Sequence, residues 1–245
     1  MAGCWGEKLV VKEYLEQWLK LFPKKFETRF VICSWLYAGG DKQLVEEYIK
    51  PWLNKFPKEF ETRFVICPWL DAGGDKQLVE EFLKQWLKKF PEEFETRFVL
   101  CSWLDAGGDK QLVEEYVNPW LKKFPLKMET SFVIQSWLDA SGERQVVKEY
   151  VKPWLNKFKE IKEISFVIKS WLDAGGERQE IESFVMNWLE KYHPRFKAFY
   201  VISAWVKNTN DPDAIKTYAL KWLQLFRDHP KADFIIDHFE ETEEH

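Results

Sequence analysis

The sequence predicts an all-α fold, a right-handed α-solenoid of seven 34-residue helix–turn–helix repeats. Three observations lead there. Trp18, Trp52, Trp86, Trp120, Trp154, Trp188 and Trp222 follow one another at intervals of 34. A second series, Trp35, Trp69, Trp103, Trp137, Trp171 and Trp205, keeps the same interval, and with Trp5 the two account for all 14 Trp. Two further aromatic columns, one from Tyr14 to Tyr218 and one from Phe22 to Phe226, run in step without a gap. The boundaries fall at about 7–40, 41–74, 75–108, 109–142, 143–176, 177–210 and 211–245, within one domain spanning 1–245.

The unit Asp75 to Gly108 shows the elements in order. Leu78, Val79, Phe82, Leu83, Trp86, Leu87 and Phe90 share about half of a helical wheel, and Glu80, Glu81, Lys84 and Lys88 fill the other half. That pattern is an amphipathic helix with one buried side. Asp75, after two glycines, is a natural N-cap. Pro91 is placed to open the second helix, with Glu92 and Glu93 at the positive end of its dipole. Its apolar residues, Phe94, Phe98, Val99, Leu100, Trp103, Leu104 and Ala106, wrap widely round the axis. Gly107 and Gly108 end it. Two helices of about 15 residues each fit the period.

A lone hairpin leaves both indole columns exposed, so copies must stack. Full burial of a Trp contributes about 4–6 kcal/mol as an upper bound. Pro51, Pro119 and Pro153 sit inside first helices, and Pro68 inside a second helix; the helices are expected to continue through them with a kink. Trp5 is expected to cover the first helix, and Glu240, Glu241, Glu243 and Glu244 to make the last one end in solvent.

A 34-residue helix–turn–helix unit resembles the tetratricopeptide class and, more loosely, HEAT-type arrays. The likeness lies in period and hairpin form. The motifs differ: Tyr48, Trp52, Leu53 and Phe56 mark a first helix here, and Phe64, Val65, Ile66, Trp69 and Leu70 a second. Such resemblance implies recognition of a protein or peptide without catalysis.

Along the second helices one strip varies while the apolar columns hold. It reads Arg29, Cys33, Tyr37; Arg63, Cys67, Asp71; Arg97, Cys101, Asp105; then Ser131, Gln135, Asp139; Ser165, Lys169, Asp173; and Phe199, Ser203, Lys207. This strip is the candidate concave, partner-binding face. The charged side of the first helices, with Glu46, Glu47, Lys50 and Lys55, is the competing surface.

A net charge of −4 gives no basic field to gather nucleic acid or anionic membrane. No apolar run is long enough to span a bilayer, and the N-terminal residues show no secretory pattern, so a cytoplasmic location is expected. Cys33, Cys67 and Cys101, one period apart, lie too far from one another for disulfides and lack zinc spacing. His193, His229, His238 and His245 share no helical face at ligand spacing, and Gly-Gly-Asp at 39–41, 73–75 and 107–109 is a helix turn, not a phosphate loop. No catalytic group, metal or cofactor is expected. The sequence therefore reads as a binding scaffold, monomeric or weakly associating end to end. A HEAT-like nucleic-acid binder using Arg29, Arg63 and Arg97, and a structural or engineered self-associating array, remain open alternatives.

Overall fold

The computed structural model describes residues 3–162 and 164–239, with side chains described from residue 11 onward. The expectations for Trp5 and for Glu240, Glu241, Glu243, Glu244 and His245 lie outside the described residues. Among the described residues the fold is all α, fourteen α-helices with two short 3-10 turns and no strand. Helices come in pairs: α1 (Gly3–Leu21) with α2 (Thr28–Tyr37), α3 (Gln43–Lys55) with α4 (Arg63–Asp71), and α5 (Lys76–Lys89) with α6 (Thr96–Asp105). Next come α7 (Lys110–Lys123) with α8 (Thr130–Asp139), and α9 (Arg144–Phe158) with α10 (Ile164–Asp173). The last pairs are α11 (Arg178–Tyr192) with α12 (Ala198–Asn208), and α13 (Lys216–Phe226) with α14 (Ala232–Phe239). The chain forms two compact units, Met1–Trp120 and Leu121–His245, whose boundary lies inside α7. In the first, α2 packs on α4 and α4 on α6; in the second, α8 packs on α10 and α10 on α12.

Both indole columns form the core. Trp52, Trp86, Trp120, Trp154 and Trp222 have no exposed surface, and Trp69, Trp103, Trp137, Trp171 and Trp205 have at most 1%. Burying so large a ring also buries its N–H, which must find an acceptor. The first column solves this between pairs. Trp52 donates to the Lys25 carbonyl at 2.8 Å, Trp120 to Glu93 at 2.9 Å and Trp154 to Lys127 at 2.8 Å, each in the turn of the preceding pair. The second column solves it locally: Trp35, Trp69, Trp103 and Trp137 donate to the carbonyls of Asp41, Asp75, Asp109 and Glu143 at 2.8–2.9 Å.

The double glycine follows from that second indole. Gly39, Gly73, Gly107 and Gly175 have φ of 68–72°, the left-handed cap, and Ser141 takes the same place at 58°. The following residue, Gly40, Gly74, Gly108, Gly142 or Gly176, lies flat against the indole, so that any Cβ there would overlap the ring. Asp75 then caps the next helix, its carboxylate accepting from Gln77 N at 2.9 Å, and Asp41 and Asp109 do the same. Glu143 and Glu177, one methylene longer, make no such bond. The helices continue through Pro51, Pro119, Pro153 and Pro68.

The second helices are shorter than expected. In the third pair α6 starts at Thr96, while Pro91, Glu92 and Glu93 belong to the turn before it. A hydrogen bond and a ring contact mark that turn. The Thr96 hydroxyl donates to the Phe90 carbonyl at 2.6 Å, closing the end of α5, and Thr28, Thr62 and Thr130 repeat it. The turn also carries Phe94 onto Trp120 of the next helix, ring centroids 6.2 Å apart. In this turn the Glu93 carbonyl accepts from both Thr96 N, at 3.1 Å, and the Trp120 indole.

Gly74→Ala is expected to lower stability by about 2–3 kcal/mol through overlap with Trp69, and Gly73→Ala by about 1 kcal/mol through its left-handed backbone. Urea unfolding of the two variants beside the native chain checks the order; equal losses would contradict the packing account.

Candidate binding surface

The candidate surface grows from the exposed arc of the second helices. At about 100° per residue, Arg97, Cys101, Asp105 and Phe98 fall together, opposite Val99, Leu100 and Trp103. The structure follows this wheel: Val99 and Leu100 are fully buried, whereas Phe98 is 47% exposed. Phe98 therefore does not belong to the buried set that the sequence predicts for it. The same holds for Phe30 at 56%, Phe64 at 38% and Phe132 at 56%. Pattern reading assigns these phenylalanines to the core; Phe30, Phe64 and Phe98 recur at one register on the second helices of the first unit, and Phe132 faces solvent in the second. The signal that finds this exposure is angular, since Phe98 lies about 20° from Asp105 on the wheel.

The arginines are held from both sides by these rings. The Arg29 guanidinium lies 3.7 Å over Phe26 and 4.1 Å over Phe30, and its Nη1 donates to the Phe26 carbonyl at 2.7 Å. Arg63 is set between Phe60 and Phe64 at 4.1 and 4.2 Å, and Arg97 between Phe94 and Phe98 at 3.9 and 4.0 Å. Arg97 donates to the Phe94 carbonyl at 2.7 Å. Burial lowers the pKa of Arg63, against the opposing pull of Glu95. Two ring contacts and a backbone bond hold each arginine in place against its phenylalanines.

The strip predicted from sequence is graded in depth. Arg29 and Cys67 are buried, Arg63, Cys33, Arg97 and Cys101 are half-buried, and Tyr37, Asp71 and Asp105 are exposed. Packing of α2, α4 and α6 brings these rows onto neighbouring helices of the first unit. Ser102 of α6 stands within hydrogen-bonding reach of both Cys67 and Asp71 of α4. In the second unit, half-buried Gln135 reaches Asp139 at 3.5 Å within α8. Half-buried Lys169 pairs with Asp173 at 2.7 Å within α10, and Asp173 also accepts from Asn208 of α12 at 3.0 Å.

Burial pushes the Cys67 thiol up to about 12 and raises that of Cys33, which disfavours the nucleophilic thiolate at neutral pH. Among the described residues no three His, Cys, Asp or Glu side chains gather as metal ligands. His193, His229 and His238 each use a ring nitrogen on nearby backbone. No described helix is long and apolar enough to cross a membrane. Comparison with protein-family models, curated proteins and solved structures gives no match to this chain.

With its pKa near 12, the Cys67 thiol is expected to resist a disulfide labelling reagent at neutral pH until the protein unfolds. Peptide mass mapping after timed labelling checks this; modification of native Cys67 within minutes would contradict it.

Proposed function

We propose that the chain is a right-handed α-solenoid of seven tetratricopeptide-like repeats, acting as a non-enzymatic scaffold that binds protein or peptide along the exposed arc of its second helices. The observation that carries this reading is the aromatic column. In the first unit Phe30, Phe64 and Phe98 keep 38–56% of their surface in water, on the same helical arc as the carboxylates of Asp71 and Asp105. Aromatic rings with polar neighbours are the composition of protein-recognition surfaces. An arginine packed against a ring that faces water lowers the entropy lost when a partner packs on that ring.

Two further features support the placement. Within each compact unit the second helices pack on one another more extensively than the first helices do, as helices on the inner side of a curved stack would. The first helices, by contrast, spend their charges on weak exposed pairs, such as Lys84 with Glu80 at 2.7 Å. The arginine ladder suits nucleic acid poorly, because the guanidiniums of Arg29, Arg63 and Arg97 are already stacked and bonded within their own pairs.

Affinity capture with the native chain, followed by the Phe64→Ser, Phe98→Ser double variant, tests the surface. Both rings are exposed, so helical content should hold while affinity for captured partners falls about tenfold or more. Unchanged affinity would move the binding face to the first helices.

A further inference from the structure

The first helix pair is unlike those that follow in one respect: among the described residues, one of its faces lacks its counterpart. Val11 is 55% exposed, whereas Val45, Val79 and Val113 at the same register have no exposure. Tyr14 is 68% exposed, against 8% for Phe82. Val31 and Trp35 are half-buried and Ser34 exposed, although Val65, Val99, Trp69, Trp103 and Ser102 are buried. Together with Trp18 these side chains line an apolar groove of about 800 Å³ between α1 and α2.

What covers that face elsewhere is visible within the same compact unit. At each following junction the preceding hairpin presents an aromatic ring and a turn carbonyl. Phe26 lies 6.2 Å from Trp52 and 5.2 Å from Phe56, with the Lys25 carbonyl on the Trp52 N–H. Phe60 approaches Trp86 at 5.9 Å while its carbonyl accepts the indole N–H at 3.2 Å. Phe94 and the Glu93 carbonyl treat Trp120 likewise. Trp18 has the Phe22 ring beside it, but its N–H is buried without an acceptor. That orphan alone decides little, since Trp188 has one too, where the preceding turn has a different sequence, Lys159 to Lys162. The exposed valine, tyrosine and indole at equivalent registers are what single out the first pair.

We propose that this face is a docking surface for a helical hairpin of another polypeptide, one that offers a turn carbonyl to Trp18 and an aromatic ring to Trp18 and Phe22. The interface continues the junction already made three times in the unit; of the exposed phenylalanines proposed above as the binding arc only Phe30 lines it, and the variants at Phe64 and Phe98 leave it untouched. The last pair of this chain is a poor candidate for the occupant. It carries Pro230 where Phe26, Phe60 and Phe94 stand, and exposed Asp233 and Asp237 where Arg29, Arg63, Arg97 and Cys33, Cys67, Cys101 stand. Its acidic face would meet an apolar groove.

A cap-swapped chain tests this: residues 1–210 followed by a second copy of residues 41–74, which keeps register and ends on a hairpin bearing Phe60. In sedimentation the native chain is expected at the mass of one chain. The swapped chain should assemble in steps that grow with concentration, and Val11→Asp should return it to single chains. A swapped chain that melts cooperatively yet stays single overturns the proposal. So does a native chain that pairs through Val11, which would make a second copy the occupant. Should the swapped chain fail to fold, residues 41–74 joined ahead of Glu7 give an independent reading. Exchange of the Trp18 indole N–H is then expected to slow about tenfold or more, and an unchanged rate overturns the proposal.

Discussion

The fold rests on the cost of burying an indole N–H. A tryptophan contributes more apolar surface than other side chains, but sealed from water its nitrogen demands an acceptor. Each buried column answers with a carbonyl just ahead of a helix, which takes the indole N–H as well as a backbone amide of the first turn, as the Glu93 carbonyl takes Trp120 and Thr96 N. Trp52, Trp120 and Trp154 reach into the preceding interhelical turn, and Trp69, Trp103 and Trp137 into the turn leading to the next pair. Turns of this chain are therefore built around rings. Gly74 and its equivalents are bare because an indole lies on them, and the Thr62 hydroxyl holds the Phe56 carbonyl so that the turn beyond keeps its shape.

This explains what could be read from sequence. The two Trp columns, the aspartate caps and the helical course through Pro51, Pro119 and Pro153 follow from local pattern, and the coordinates carry them. The start of α6 was not legible. Pro91-Glu92-Glu93 has the chemistry of a helix beginning, but the turn is held by the Thr96 hydroxyl on the Phe90 carbonyl and by Trp120 of the following pair. Apolar identity also misplaced Phe98. Its neighbours Val99 and Leu100 are buried, so counting residues puts it in the core, whereas angle puts it with Asp105 in water.

At the candidate surface the residue types were legible and their depth was not. Arg29 and Cys67 read from sequence as surface groups of a variable strip; in the structure both are buried, Arg29 against Phe26 and Phe30 and Cys67 beside Ser102 of the next second helix. Sequence variation there reflects different ways of filling a narrow space: an arginine at 29, 63 and 97, a serine at 131 and 165, a phenylalanine at 199. Ser131 and Ser165 bond the carbonyls of Met128 and Lys162 at 2.8 and 3.1 Å, the place where Arg97 bonds that of Phe94. One backbone acceptor is satisfied by two unrelated side chains. Where serine replaces arginine the contact with the adjoining ring disappears, and the ring of Phe132 stands 56% exposed without it.

The bonds that lock one pair to its neighbour are short in sequence. Trp86 finds its acceptor 26 residues back and Trp52, Trp120 and Trp154 find theirs 27 back, while Lys76 reaches the carbonyl of Gly107 31 residues ahead. A chain leaving the ribosome can thus fasten each hairpin as soon as the next one emerges, with no distant segment to await. The same economy works in reverse. Damage at one hairpin frees its immediate neighbours while ties elsewhere in the chain persist, so local fraying, rather than global collapse, is the natural response of such a molecule to injury.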